Sequence, residues 1–213
     1  MQSMTEAWVS ELDKALEEIS AIRRQMARAV DFRGYGPATF AATGVLAALA
    51  ALAQAMWLQS PSDNIGGYLA LWVSAAATSV AIIGFEMVTR SRRIHSLLAD
   101  DLVRSAVEQF IPAAIAGVAL TAVIVRFAPL AQWMLPGLWQ IVFGLGVFAS
   151  CRFLPKAMWL VGAWYVTTGL ACLAFAGGPD AFSPWAMGAP FAVGQLMVAA
   201  VLRFGVGGDD DAA

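Results

Sequence analysis

From Pro37 to Phe204 the chain alternates long apolar runs with short polar links, and the runs are apolar all round rather than on one face. Six windows, over about 37–58, 67–89, 110–131, 136–154, 156–176 and 185–204, approach the ~20 residues that a helix needs to cross ~30 Å of hydrocarbon. Barrel strands would instead alternate apolar and polar residues over about ten positions. Helices also close their backbone hydrogen bonds within each segment, as lipid demands. The links hold helix breakers: Ser60-Pro61-Ser62-Asp63-Asn64, the stretch from Pro129 to Pro136, Pro155, and Gly177-Gly178-Pro179-Asp180. Little more than Pro155 separates the fourth and fifth windows, so those helices are expected to pack as antiparallel neighbours. The pattern predicts an all-α integral membrane protein, a bundle of six transmembrane helices over 37–204.

Two further segments have a helical period with one apolar face. Over 4–32, apolar residues recur at Trp8, Leu12, Ala15, Ile19, Ile22, Met26 and Ala29, close to the a and d positions of three heptads. Ser3 and Glu6 have capping-box spacing, and acidic residues precede Arg23, Arg24 and Arg28, an order that suits the helix dipole. This predicts an amphipathic helix within a 1–36 segment. Its stripe of Trp8, Leu12, Ile19, Ile22 and Met26 can lie on the membrane surface, fold back on the bundle, or bind a protein partner or a second copy. Residues 91–109 predict a second amphipathic helix, with Asp100, Asp101, Arg104 and Glu108 opposite Leu98, Leu102 and Ala106. The acidic tail, 205–213, reads as a solvated end.

Composition strengthens the membrane reading. Of 213 residues, 60% are hydrophobic and 13% charged, against about 25% charged in soluble domains. A net charge of −2 gives no reason to expect a nucleic-acid partner; the expected partner is the lipid bilayer. Residues 1–33 carry Glu6, Glu11, Asp13, Glu17 and Glu18 and no continuous apolar run, so they do not read as a secretory signal. Lysines and arginines sort by link. The N-terminal segment, the 90–109 link, the Arg152–Lys156 link and the end at Arg203 are basic, whereas 59–66, 132–135 and 177–184 hold none. By the positive-inside rule both termini are cytoplasmic, and Trp57, Tyr68, Trp133, Trp139 and Trp185 are expected as an outer aromatic girdle. Short loops suggest a prokaryotic cytoplasmic membrane.

Candidate chemistry is sparse. Ionisable groups inside lipid are functional candidates by default, which singles out Glu86, one turn before Arg90, and Arg126. Glu86 can serve a proton, a cation or a ligand, or pair with Arg90 at i, i+4; Arg126 can meet an anion or snorkel to headgroups. Gln140 and Gln195, with Gln54, are expected to bond between helices or to line a cavity. His95 is the only histidine, and Cys151 and Cys172 have no metal-site spacing. No cofactor, metal or catalytic set is expected. Small residues such as Gly44, Ala48, Ala113 and Gly117 permit close helix packing, within the bundle or in a homodimer. Residues 117–127 and 194–204 share Gly, Ala, Arg and Phe in register, a faint sign of a three-plus-three inverted repeat.

Two functions fit these features. One is a non-catalytic membrane sensor, regulator or adaptor working through its cytoplasmic helices. The other is a small-solute or ion transporter with a polar site near mid-membrane, built from Glu86, Arg126, Gln140 and Gln195.

Overall fold

The structure is a computed structural model, and it describes residues 36–58, 60–91 and 97–204. The predicted amphipathic helix over 4–32, with Trp8, Leu12, Ile19, Ile22 and Met26, lies outside the described residues, as do His95 and the acidic tail. The described residues are helical, with no strand among them. Six helices follow in order: α1 Pro37–Trp57, α2 Ile65–Ser91, α3 Leu97–Phe127, α4 Leu135–Ser150, α5 Met158–Phe175 and α6 Pro184–Phe204. Six helical stretches are long and apolar enough to cross a membrane, the fourth of them, Pro129–Ser150, running through the 3-10 turn that leads into α4. The chain is a multi-pass membrane protein.

Helix ends follow local chemistry. Pro37 occupies the first turn of α1 and Pro136 that of α4, where a missing N–H breaks no helical bond. Two predicted windows shift. The third helix stops at Phe127, not near 131, because Pro129–Met134 forms a separate 3-10 turn. The fourth stops at Ser150, not 154, where Cys151–Phe153 tightens into another such turn. A third 3-10 turn, Gly178–Phe182, precedes α6.

The helices pack in a broken ring. α3 lies on α4, α4 on α5, α5 on α6, α6 on α1 and α1 on α2. Consecutive helices are therefore neighbours except α2 and α3, which do not pack along each other. Only 11% and 6% of the membrane stretches of α2 and α3 are buried, against a third or more in the other four. In a three-plus-three inverted repeat, α2 and α3 would reproduce the relation of α5 to α6. They do not: α5 packs on α6, whereas α2 and α3 share little contact.

Small residues set the two tightest contacts. α4 carries Gly137 and Gly144, and α5 carries Gly162 and Gly169, each pair seven residues apart. A Cβ at Gly144 would stand 2.9 Å from the Gly162 carbonyl oxygen, and one at Gly137 would stand 2.8 Å from that of Gly169. The predicted antiparallel hairpin is built on these four glycines. On the other side, Gly44 of α1 faces the Ala192 carbonyl, and Gly188 of α6 faces Ala51. Close backbone approach replaces the hydrophobic drive that helices lack inside lipid.

The interior divides into two apolar layers. One, at the end where α1 finishes and α2 begins, gathers Ala50, Ala51, Tyr68, Trp72, Phe182 and Met187. The other, toward the end holding Arg152 and Arg203, gathers Val147, Met158, Val161, Tyr165 and Val198.

Candidate functional site

Four sets of polar side chains sit on this frame. The first is mid-membrane. Gln195, at the middle of α6, has its Nε2 3.2 Å from the Tyr165 hydroxyl of α5 and its Oε1 3.1 Å from Thr43 Oγ1 of α1. Thr43 Oγ1 is also 2.8 Å from the Phe40 carbonyl oxygen. Gln195 donates through Nε2 to the Tyr165 hydroxyl, and the single Thr43 hydroxyl proton is shared between Gln195 Oε1 and the Phe40 carbonyl oxygen. Gly194 is part of the device, since any side chain there would overlap the Tyr165 ring. The trio joins α1, α5 and α6.

The second set lies in the layer around Tyr68. Gln54 of α1 donates through Nε2 to the Phe182 carbonyl at 2.6 Å and accepts at Oε1 from the Trp72 indole N–H at 2.7 Å. Gln140 of α4 donates through Nε2 to the Ala186 carbonyl of α6 at 2.9 Å. Chain chemistry explains that bond. Pro190 lies inside α6 and has no N–H, so the carbonyl four residues earlier, Ala186, loses its helical donor. Gln140 supplies one from the neighbouring helix. Both Gln54 and Gln140 are fully buried. In the same layer Tyr68 is fully buried against Trp72, Trp139 and Phe182, with ring centroids 5.0–6.4 Å apart. Tyr68 Oη and Gln140 Oε1 are buried atoms without a hydrogen-bond partner in the structure.

The third set is at the other end of the bundle. The Glu86 carboxylate, one turn short of the end of α2, accepts the backbone N–H of Gly36 at 3.1 Å. Gly36 is the N-cap residue of α1. The carboxylate therefore meets the positive end of the helix dipole, and a Cβ at residue 36 would collide with it. The predicted partner Arg90 has its side chain outside the described residues.

The fourth set ties α3 to α4. Trp139 donates to Thr121 Oγ1 at 2.7 Å, and Ser150 Oγ lies 2.9 Å from the Ala106 carbonyl oxygen. Between α5 and α6, Trp164 donates to the Pro190 carbonyl at 2.9 Å.

Glu86, Arg126, Gln140 and Gln195 are therefore not brought to one place. Arg126 is exposed, its guanidinium 5.6 Å from the centroid of the neighbouring Phe127 ring. Gln140 and Gln195 lie in different layers, and Glu86 stands near the far end of α2. The aromatic girdle also needs correction. Trp57 and Trp185 are exposed, whereas Tyr68 is an interior residue and Trp139 turns its N–H toward α3. Sequence reasoning missed Tyr165, Thr43 and Trp72. Pro190 was a signal for the Gln140 bond alone, since it frees the Ala186 carbonyl in the first turn of α6 and so calls for a donor on another helix. Outside the spans, burial pushes the Cys151 thiol above its usual range. Among the described residues no cluster of three or more His, Cys, Asp or Glu side chains could hold a metal ion.

No protein-family model matches the chain, nor does any curated protein or solved structure.

Proposed function

We propose that the chain is a non-catalytic membrane sensor, regulator or adaptor, with both termini in the cytoplasm, that works through its N-terminal segment. The observation that carries this reading is the use made of the polar groups. Gln54 and Gln195 spend both ends of their amides on bonds to neighbouring helices. Glu86, the strongest transport candidate in the sequence, holds the N–H of Gly36, just where the N-terminal segment enters the first membrane helix. The bundle on this reading is a scaffold, and the Glu86–Gly36 bond sets the point from which residues 1–35 emerge. Their apolar stripe binds a cytoplasmic protein or a second copy. The setting proposed is the cytoplasmic membrane of a prokaryotic cell.

The test is cross-linking in the native membrane, comparing the full chain with a Leu12→Asp, Ile19→Asp, Met26→Asp variant. A specific cross-linked species, hetero- or homo-oligomeric, that is lost in the variant supports the reading. Identical cross-links in both samples overturn it.

A second reading, transport of a small solute, draws on one feature: the unpartnered Tyr68 and Gln140 oxygens inside the bundle. Solute flux into vesicles that falls when either residue is replaced by an apolar one would favour it.

A further inference from the structure

Tyr68 Oη and Gln140 Oε1, two buried oxygens without a hydrogen-bond partner among the described residues, belong to one layer. Tyr68 is three residues into α2 and Gln140 five into α4, both counted from the same end of the bundle. The residue before Gln140, Trp139, stacks on the Tyr68 ring at 6.3 Å. Gln140 Nε2 is 4.0 Å from Met187 Sδ, and Met187 shares its apolar cluster with Tyr68. The Cβ of Gln140 stands 3.0 Å from where a Cβ on Gly169 would lie. The two side chains thus enter a common interior region from opposite helices.

Their chemistry is complementary but not mutual. A phenol has a proton to give, and an amide oxygen can only accept. They make no bond to each other. Leaving either group unmatched in a low-dielectric interior is costly. An occupant that accepts one hydrogen bond and donates another satisfies both. It is expected to be uncharged, because the buried polar residues among those described, Thr43, Gln54, Gln140, Ser150 and Gln195, carry no charge. It must also be small, because Trp139, Phe182 and Met187 are packed around the Tyr68 ring.

We propose that Tyr68 and Gln140 bind a single water-sized, neutral molecule, with water as its chemistry, which accepts the Tyr68 phenolic proton and donates to Gln140 Oε1. Buried waters of this kind complete hydrogen bonding that protein groups leave open. The site links α2, which is otherwise held mainly to α1, to α4 across the bundle. The inference depends on neither functional reading above.

The experiment is thermal unfolding of the full chain in lipid nanodiscs, for wild type, Tyr68→Phe, Gln140→Met and the double variant. Tyr68→Phe is expected to lower the midpoint by a few degrees in the wild-type background, and to change it little in the Gln140→Met background, where the bridge is already broken. A wild-type midpoint that is unchanged or raised by Tyr68→Phe overturns the proposal, since a truly unmatched hydroxyl is better removed. An equal loss in both backgrounds overturns it too, because Tyr68 then bonds elsewhere. Should Gln140→Met not fold, an experimental structure that resolves ordered water decides. One compact density peak within hydrogen-bond distance of both oxygens supports the site. A direct Tyr68–Gln140 bond, or density larger than a water molecule, overturns it.

Discussion

At the scale of single residues, Gln195 and Glu86 illustrate how a polar side chain in an apolar run is used. Gln195 is 9% exposed and meets hydroxyls on two other helices. Replacing it with Leu removes the amide and leaves Thr43 and Tyr165 short of a partner inside lipid. The expected cost is about 1–3 kcal/mol, read as a lower unfolding midpoint in nanodiscs; a Gln195→Leu protein as stable as wild type would show that the trio contributes nothing. Glu86 behaves differently. Its bond to Gly36 needs an acceptor oxygen, which Gln retains and Leu does not. Glu86→Gln is expected to keep most of the stability, losing only the dipole term of about 0.3–1 kcal/mol, while Glu86→Leu loses the cap as well. Protease accessibility around residue 36 measures this, and equal cleavage of the two variants would refute the capping role. Sequence alone named both residues. It could not name their partners, because Gly36 lies 50 positions from Glu86 and Thr43 lies 152 from Gln195, and no local spacing encodes such a pairing.

At the scale of elements, the spans were legible because each is apolar for long enough, whatever its packing. Their ends were less so. Apolar residues continue past Phe127 and Ser150, and the helix stops there for reasons of backbone geometry: the 3-10 turns over Pro129–Met134 and Cys151–Phe153 still carry Leu130, Trp133, Met134, Cys151 and Phe153, so hydropathy does not mark the helix ends. Pro190 shows the same limit from the other direction. Hydropathy passes over it, yet it decides where Gln140 bonds. The consequence is measurable as a coupling energy. Pro190→Ala restores an N–H to the Ala186 carbonyl, so the Gln140 amide is no longer the sole donor there. Gln140→Met is therefore expected to cost less in the Pro190→Ala background than in wild type, by about 0.5–3 kcal/mol, the range for residues in one network. Equal costs in both backgrounds would mean that Gln140 does not compensate for the proline. The four glycines between α4 and α5 work as a unit in the same sense. Gly144→Ala places a methyl 2.9 Å from the Gly162 carbonyl oxygen and is expected to cost about 1–3 kcal/mol by overpacking.

At the scale of the whole molecule, the ring of helices is closed everywhere except between α2 and α3, so these two present most of their surface to lipid while α1, α4, α5 and α6 form the interior. The two faces of such a bundle differ in charge. Arg104, Arg152, Lys156 and Arg203 lie toward the end where α1 begins, and Asp63 and Asp180 stand in the links at the other. Cationic side chains are retained on the cytoplasmic side during insertion, so the first end is expected to face the cytoplasm. Arg126 is the exception, near the opposite end of α3 and exposed, where a long side chain can reach the headgroups. One arginine against four cations does not reverse the bias. Single cysteines placed at Ser62 and at Lys156, both exposed, test the orientation once Cys151 and Cys172 are replaced by Ala. A membrane-impermeant thiol reagent added to intact cells is expected to label the Ser62→Cys protein at once and the Lys156→Cys protein only after permeabilisation. The reverse pattern would put the N-terminal segment outside the cell. It would also remove the cytoplasmic partner on which the proposed function depends. Labelling of both positions in intact cells would be incompatible with a bundle that spans the membrane an odd number of times between residues 62 and 156.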